Sequence, residues 1–535
     1  MTAAEDKPPE GFGKSQVGRL LGKAAVRLFI FPVFLLGAWV AGAGLHDPDT
    51  CWLAALGRLM FKSGKLPTTD PFSYTFALGD PKPFVMYQWL TELIFYTCIH
   101  LGGLILLLAF AAVILYIAWI CLPLICFRKL DLPQLRSFAL IILAMMAGSF
   151  HFLVRPEICS YLMLSAWMSV LITMRLKDKK AIETDTNNPI DWKLVGTFCA
   201  LMAVWCNLHT GCTSGLIVMS VYVIFSTLEW ICVGRKKTKH FPYATAAVAL
   251  AGSVACTLLN PYGINLWRYI PLLFFSPINK FIIELHSIGP SNWFNWYYFP
   301  FYFLSLIAVW DCFQSYKSSG SNARPGWFPP VFIATLIVLG FQHNRLIPFS
   351  SLCMIYEDAW LRSQFHTSGE PSTIGDFANA RAKELFSPNT LSLFLHGILV
   401  IVGVLLIALG PVTPQLPQGS GAFGYPIEAM DYLEKNPPQG HGFNTPQFGD
   451  VLIWNMSPCP QVFIDTRFDM HGDQLCEEYL HIADCQPGWQ DALNRYSVQW
   501  VFVTPDLKIA QELPHTPGWT TAIQSKSALL FYRQH

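Results

Sequence analysis

Long apolar runs separated by short polar turns organise this chain from about residue 28 to about residue 411. Each run approaches the roughly 20 residues that a helix needs to cross the hydrocarbon core of a bilayer. The first covers 28–45, and later ones start at about Gly103, Ser137, Ile158, Lys193, Ser214, Phe241, Phe299, Pro329, Ile347 and Leu391. Residues 87–101 are apolar on one side only and read as a short interfacial helix. The pattern predicts about eleven transmembrane helices. Residues 1–27 are polar, with Lys14, Arg19, Lys23 and Arg27 directly before the first run. That run is too long and too poorly ended for a cleaved signal peptide and reads as a retained helix.

The texture changes near residue 411. Pro and Gly punctuate 411–424, and a helix-like stretch with Tyr425, Ala429 and Leu433 follows. Short apolar runs at 451–454, 462–464 and 500–503, flanked by turn residues, read as buried strands. The expected fold is therefore mainly α: a cytoplasmic segment at 1–27, a polytopic membrane domain at 28–411 with a long first outer loop at 46–88, and a soluble α/β domain at 412–535. No repeat of 20 to 50 residues is visible.

Composition agrees with that class. The 535 residues are 53% hydrophobic and 13% charged, about half the roughly 25% charge of an ordinary globular protein. A net charge of +1 argues against a nucleic-acid surface, which needs clustered surplus Lys and Arg to neutralise phosphates. Alternation of the spans puts Arg128/Lys129, Lys177/Lys179/Lys180, Arg235/Lys236/Lys237/Lys239, Lys317/Arg324 and Arg362/Arg381/Lys383 on one side, the cytoplasmic one by the positive-inside rule. The first loop and the tail then face outward. So do nearly all the polar residues at helix ends: Asp47, Asp49, Asp70, Glu92, His151, Arg155, Glu157, Asn207, His209, Glu284, His343 and Arg345.

Most of the 15 cysteines fall within the spans, where they act as small apolar residues. Cys459, Cys476 and Cys485 lie in the tail and Cys51 in the first loop, a set that allows one disulfide without fixing its pairing. No CxxC or HExxH spacing marks a zinc site.

The first outer loop holds the densest chemistry. It runs about 40 residues where connections between packed helices usually take two to eight. It opens on Asp47-Pro48-Asp49, continues through an amphipathic helix from Cys51 to Lys62, turns at Gly64 and reaches Pro67-Thr68-Thr69-Asp70-Pro71. Ordinary roles compete here: Asp49 or Thr50 as helix cap and Asp70 as a turn residue.

This layout of an acidic motif directly after the first helix, interfacial helices, many spans and an outer C-terminal domain resembles the GT-C superfamily of membrane glycosyltransferases. That superfamily includes oligosaccharyltransferase catalytic subunits and protein O-mannosyltransferases. Within it, HDPDTCWLAALGRLMFKSGKLPTTDPFSYTF followed by QWLTELIFY looks like a bacterial, largely uncharacterised group. RPE at 155–157, WCNLH at 205–209, NPYG at 260–263, HNRLIPF at 343–349 and VFIDTRFDM at 462–470 extend the similarity over most of the chain.

The resemblance implies an inverting-type transfer of a sugar from a polyprenyl-phosphate carrier to an acceptor at the outer face of a bacterial plasma membrane. Asp47 is then the candidate general base with Asp49 assisting, since an aspartate is largely ionised at neutral pH. The same pair suits Mg²⁺ or Mn²⁺; superfamily members differ on metal use, and the lack of a clear third carboxylate favours metal independence. Arg155 and Arg345 are candidates for the lipid phosphate, because a guanidinium offers a planar fork of donors. His209, His343, Asn207, Glu157 and Glu92 are further substrate-binding candidates. Competing structural roles are an Arg155–Glu157 pair, a snorkelling Arg345 and a membrane-anchoring Trp89. Asp465, Arg467 and Asp469 follow an expected strand, where open α/β sheets place ligands, or they bridge one another. The alternatives to transfer are a transporter or flippase for a lipid-linked sugar, and a non-catalytic scaffold. Transporter sites tend to lie at mid-membrane, whereas these residues gather at one face.

Overall fold

A computed structural model of the protein describes residues 47–78, 84–186, 188–233, 241–275, 277, 285–290, 292–318, 325–365, 426–456 and 460–534. The runs expected at 28–45 and from Leu391, and the basic cluster at 235–239, lie outside them.

The first described helix, α1 (Asp49–Ser63), ends where Gly64 takes a left-handed conformation. The expected amphipathic helix is there, but it is not a surface helix: Thr50 to Gly57 and Met60 are buried. Gly57 permits this packing, since a Cβ there would sit 2.1 Å from the carbonyl oxygen of Glu92. A short helix α2 (Tyr74–Leu78) closes the loop. Next comes α3 (Trp89–Tyr116), which continues through a π-helical turn at Ile117–Cys121 into Leu122–Lys129. It is interrupted at Gly102 and Gly103, where φ and ψ of −153° and 22°, then 65° and −163°, leave helical space. The second pair is open to glycine and strained for other residues. The short helix expected at 87–101 and the run from Gly103 are the two sides of this break.

The remaining membrane-domain helices are α4 (Gln134–Gly148), α5 (Glu157–Thr184), α6 (Trp192–Leu208), α7 (Cys212–Cys232), α8 (Ala244–Cys256), α9 (Ile264–Phe275), α10 (Phe299–Ser318), α11 (Phe328–Gln342) and α12 (Ile347–Phe365). Among the described residues, Trp89–Lys129, Gln134–His151, Glu157–Thr184 and Cys212–Cys232 are long and apolar enough to cross a membrane, and Trp192–Leu208, Ala244–Cys256 and Phe328–Gln342 are shorter apolar helices.

Polar residues do not all gather at one end, contrary to the sequence expectation. Next to the basic ends of the helices, Arg136 pairs with Asp311 and with Asp358 at 2.9 Å, and Arg362 lies 4.0 Å from Asp311. Arg175 forms a fork with both oxygens of Glu357 at 2.6 and 2.9 Å. Asp178 accepts from Tyr222 at 2.7 Å and from Asn188 at 2.9 Å. All these charged groups are buried. They lie inside apolar helices, where pattern alone reads them as loop-proximal charge.

The C-terminal region carries α13 (Ile427–Lys435), β1 (His441–Asn444), α14 (Pro446–Asn455), α15 (Phe468–His471), α16 (Asp473–Ala483), α17 (Trp489–Arg495), β2 (Val498–Val503), α18 (Lys508–Glu512), β3 (Trp519–Gln524) and β4 (Leu529–Arg533). The sheet order is β1-β2-β4-β3, with β1 parallel to β2 and the other neighbours antiparallel. The run at 500–503 is a strand as expected. That at 451–454 is helical: Pro446 stands at the start of α14, and Phe448, Val451, Leu452 and Ile453 are buried along it. The run at 462–464 makes only a bridge from Val462 to Ser73.

That bridge belongs to a wider interlock. Tyr74 sits in the apolar core of the C-terminal region with Phe443, Phe463 and Val501, and its hydroxyl donates to the Gly442 carbonyl at 3.2 Å. Phe448, Val451 and Leu452 of α14 share the core of the membrane helices. Arg58 of α1 donates to the Ile453 carbonyl at 3.2 Å and lies 4.7 Å over Trp454. Cys51 is buried rather than exposed, burial pushes its thiol up, and Cys51, Cys476 and Cys485 are free thiols. Cys459 falls outside the described residues.

Candidate functional site

The start of α1 and the connection between α4 and α5 are fastened together. The Thr50 hydroxyl donates to the Val154 carbonyl at 3.3 Å, and the Asp49 N–H donates to Asp47 Oδ1 at 3.2 Å. This fixes Asp47, 5% exposed, opposite Arg155. Arg155 donates from Nε to Asp47 Oδ2 and from Nη2 to Asp47 Oδ1 at 3.0 Å, while Nη2 stands 3.2 Å from Asp49. Arg155 does not pair with Glu157, since residues two apart at a helix start face different ways. Glu157 instead accepts from Arg345, which is paired rather than snorkelling, and lies 4.0 Å from His209 Nε2. His209 Nδ1 is fixed by Ser160 Oγ at 2.9 Å, itself the acceptor for Trp205 Nε1 at 2.8 Å.

These pairs converge. Arg345 feels the charges of Arg155, Asp49 and Asp47, and Tyr87 those of Asp469, Arg345, Glu92 and Asp49. Glu92 is 1% exposed with Oε2 unpaired. His151, 7% exposed, has Nε2 unpaired and lies in the field of both arginines. Asn207 and His343 have local duties. Asn207 accepts from Trp89 Nε1 at 2.9 Å and donates to the Leu259 carbonyl at 2.8 Å, so Trp89 is held inward rather than spent on anchoring. His343 Nδ1 meets the Leu285 carbonyl at 3.0 Å, and the ring is exposed.

The C-terminal region completes the cluster; the sequence reading singled out Asp465, Arg467 and Asp469 there but not Thr466 or Asp450. Thr466 Oγ1 lies 2.6 Å from Asp49 Oδ1, 417 residues away in the chain, and 2.8 Å from Asp450 Oδ2, so one hydroxyl joins two carboxylates. Arg467 forks onto Asp465 at 2.9 and 2.5 Å and reaches Asp70 at 2.8 Å. Asp469 takes no part in that bridge and accepts from Tyr269 of α9 at 2.5 Å. Burial, reinforced by Asp465 and Asp49, holds the Asp450 carboxyl well above the usual carboxylate range. Burial also raises Asp469. Burial would do the same to Asp465, but Arg467 and His471 override it and hold that carboxyl below the range. The turn-rich run IDTRFD was the only sequence signal for these contacts.

A carboxylate pair of this kind is also the donor set a divalent cation takes. Here both carboxylates share the Arg155 guanidinium, and among the described residues no three His, Cys, Asp or Glu side chains converge as metal ligands.

Neither a family model nor a curated protein matches the sequence. The fold does find relatives. It matches archaeal oligosaccharyltransferase AglB from Archaeoglobus fulgidus, solved in complex with an inhibitory peptide and a dolichol-phosphate, with TM-score 0.52 and 10% identity over 90% of this chain and 70% of that one. A structure of the Archaeoglobus fulgidus oligosaccharyltransferase, tethered by a disulfide bond to an acceptor peptide containing the NVT sequon, matches with TM-score 0.52 and 10% identity over 98% and 75%. This chain shares the overall fold of those structures. At such identity the likeness is one of fold.

Proposed function

We propose that this protein is a membrane glycosyltransferase that moves a sugar from a polyprenyl-phosphate carrier to an acceptor on the outer face of a bacterial plasma membrane. One observation carries the reading: Asp47 is buried where the first loop, the α4–α5 connection and the C-terminal region meet, and Arg155 holds both of its oxygens. The contacts of Asp49 with Thr466 and of Asp70 with Arg467, which join loop and tail, support that reading. The solved structural neighbour in complex with dolichol-phosphate adds support at the level of fold.

The division of labour follows from the partners. Asp47 takes the proton of an acceptor O–H or N–H as that atom attacks the anomeric carbon; the bond from that carbon to the phosphate oxygen breaks, and its electron pair leaves with the lipid phosphate. Arg155, with two carboxylates to hold and 17% of its side chain exposed, orients Asp47 rather than binding donor. Arg345, 34% exposed with one carboxylate partner, is the cation that turns to the leaving phosphate. Glu157 and His209 position Arg345, and Glu92 faces the sugar. Asp47 and Asp49 act without a metal, their countercharge being Arg155.

The full engagement of both acidic residues by Arg155 also favours the scaffold reading, in which the cluster only holds loop and tail together. Purified protein separates the two. Asp47→Asn keeps shape but cannot accept a proton, so transfer falls by ~10² to 10⁴ with donor binding retained, and Arg345→Ala loses donor binding. Undiminished transfer by Asp47→Asn removes the catalytic assignment, and no transfer by any form leaves the scaffold.

A further inference from the structure

One buried group near the arginines has no partner and no part in the transfer step. His151 ends the 3₁₀ turn that follows α4, four residues before Arg155 in the chain. It is 7% exposed, and its Nε2 is buried without a hydrogen-bond partner. An orphaned buried donor or acceptor costs about 1–3 kcal/mol, so the site is built at a cost that a ligand can relieve. Asn344, next to Arg345, also leaves a buried Oδ1 unpaired.

A row of rings leads from the surface to this imidazole. Phe150 meets His151 in a tilted contact at 4.7 Å between centroids, Tyr297 meets Phe150, also tilted, at 5.8 Å, and Trp296 meets Tyr297 edge to face at 6.3 Å. Trp296 is 78% exposed, with Phe294 and Trp293 exposed beside it. In a chain whose helices are sized for a bilayer, exposed Trp and Phe next to a helix start mark lipid contact. The ladder thus runs from apolar surroundings to a point lying in the field of two arginines.

We propose that His151 is a headgroup ligand for the lipid phosphate, and that Trp296, Tyr297 and Phe150 carry the first isoprene units of its chain from the bilayer to that headgroup. The inference rests on the lipid-phosphate reading above and adds to it a residue and a direction of entry. An Nε2–H donates to a phosphate oxygen without placing a third full charge beside Arg155 and Arg345. Flat aromatic faces suit the planar, unsaturated units of a prenyl chain. A ligand with both parts, an anion and an unsaturated tail, satisfies the orphaned atom and covers the exposed rings together.

The test is equilibrium binding to the full-length protein in lipid nanodiscs, with a long-chain polyprenyl phosphate and inorganic phosphate as separate probes. The variants are His151→Phe, which keeps a ring against Phe150 but has no N–H, His151→Gln, which restores a donor, Tyr297→Ala and Arg345→Ala; melting curves confirm that each is folded. His151→Phe should weaken polyprenyl phosphate by about tenfold, the scale of one hydrogen bond to a charged group, and His151→Gln should recover part of it. Tyr297→Ala should weaken polyprenyl phosphate and leave inorganic phosphate unchanged. Full-strength binding by His151→Phe, with Arg345→Ala deficient, overturns the inference and leaves the lipid-phosphate reading standing. Equal competition by inorganic phosphate, with no effect of Tyr297→Ala, overturns the entry path. A wild-type protein that binds neither probe overturns the lipid-phosphate reading itself, and the inference with it.

Discussion

Two clusters of buried charge are built from the same residue types at opposite ends of the helices, and they differ in closure. At the basic end, Arg136, Arg175 and Arg362 face Asp311, Asp358 and Glu357, each 8% exposed or less. At the other end, Arg155 and Arg345 meet Asp47, Asp49 and Glu157, with Arg345 a third exposed and Glu92 Oε2 and His151 Nε2 unpaired. A buried ion pair gains Coulomb energy but loses hydration, so a closed, balanced network contributes geometry more than stability. An open one keeps its charged groups within reach of solvent and of a ligand, the usual mark of a site. Residue type does not separate structural from functional charge here; exposure of the charged groups does.

Replacing whole pairs sharpens that contrast most. Arg155→Met with Asp47→Leu should leave a folded protein, because the one carboxylate it deprives of a cation, Asp49, is partly exposed and keeps its contact with Thr466, yet reduce transfer by ~10² to 10⁴ since the proton acceptor is gone. Melting in detergent and product formation are measured on one preparation. If transfer survives, the outer cluster is as structural as the inner one and the comparison fails.

The inner cluster should respond in the opposite sense. Glu357→Leu alone leaves Arg175 buried without its fork, and about 3–5 kcal/mol of stability should go with it. Adding Arg175→Met should restore most of that loss, with transfer unchanged once the protein is folded. A double variant no more stable than the single would show that Arg175 does more than pair, its guanidinium also lying 4.2 Å over Trp360.

Much of this was legible in the sequence, and the boundary is physical. Local rules worked: a glycine stop after α1, a break at Gly102 and Gly103, and apolar runs that became helices. The residues of the outer cluster were also visible, because charge at a helix end in an apolar chain is costly enough to stand out. Their partners were not. Arg155 was weighed against Glu157, its neighbour in sequence, but its contacts lie 108 residues away at Asp47. Asp311, Glu357 and Asp358 were invisible as a cluster because each sits near a basic loop and reads as its edge. The 451–454 run became helix because pattern over four residues cannot separate a strand from one turn of a buried helix.

The seam between loop and tail should carry a pH signature. Burial, then Asp465 and Asp49, hold Asp450 well above its ordinary value of 3.8, so above that value the folded chain keeps a proton the unfolded chain has lost. Its contribution is complete below about pH 3.8 and declines as pH rises toward the raised value. Asp469, also raised, adds in the same sense. Asp465 has the opposite sign: its contribution is complete above its ordinary value and is lost only in stronger acid. Asp450→Asn should therefore flatten the fall in melting temperature as pH rises above 3.8, while its amide still reaches Thr466. An unchanged slope would place the dependence on Asp469 instead.

The smallest effect should come from Trp89, at the edge of the outer cluster. Its indole N–H donates to Asn207 Oδ1 at 2.9 Å, joining the start of α3 to the end of α6. Thr91 makes a parallel link to the Leu208 carbonyl at 2.8 Å, so the two helices stay joined without the indole. Trp89→Phe keeps an aromatic ring and removes the donor, and Asn207 is partly exposed enough for water to replace it. The loss should be about 1 kcal/mol in stability, the net value of one neutral hydrogen bond, with transfer and donor binding unchanged. A large fall in donor affinity with normal melting would instead move Trp89 from the frame of the site into its sugar-binding surface, where an indole stacks on a sugar ring, and would extend the open cluster outward by one residue.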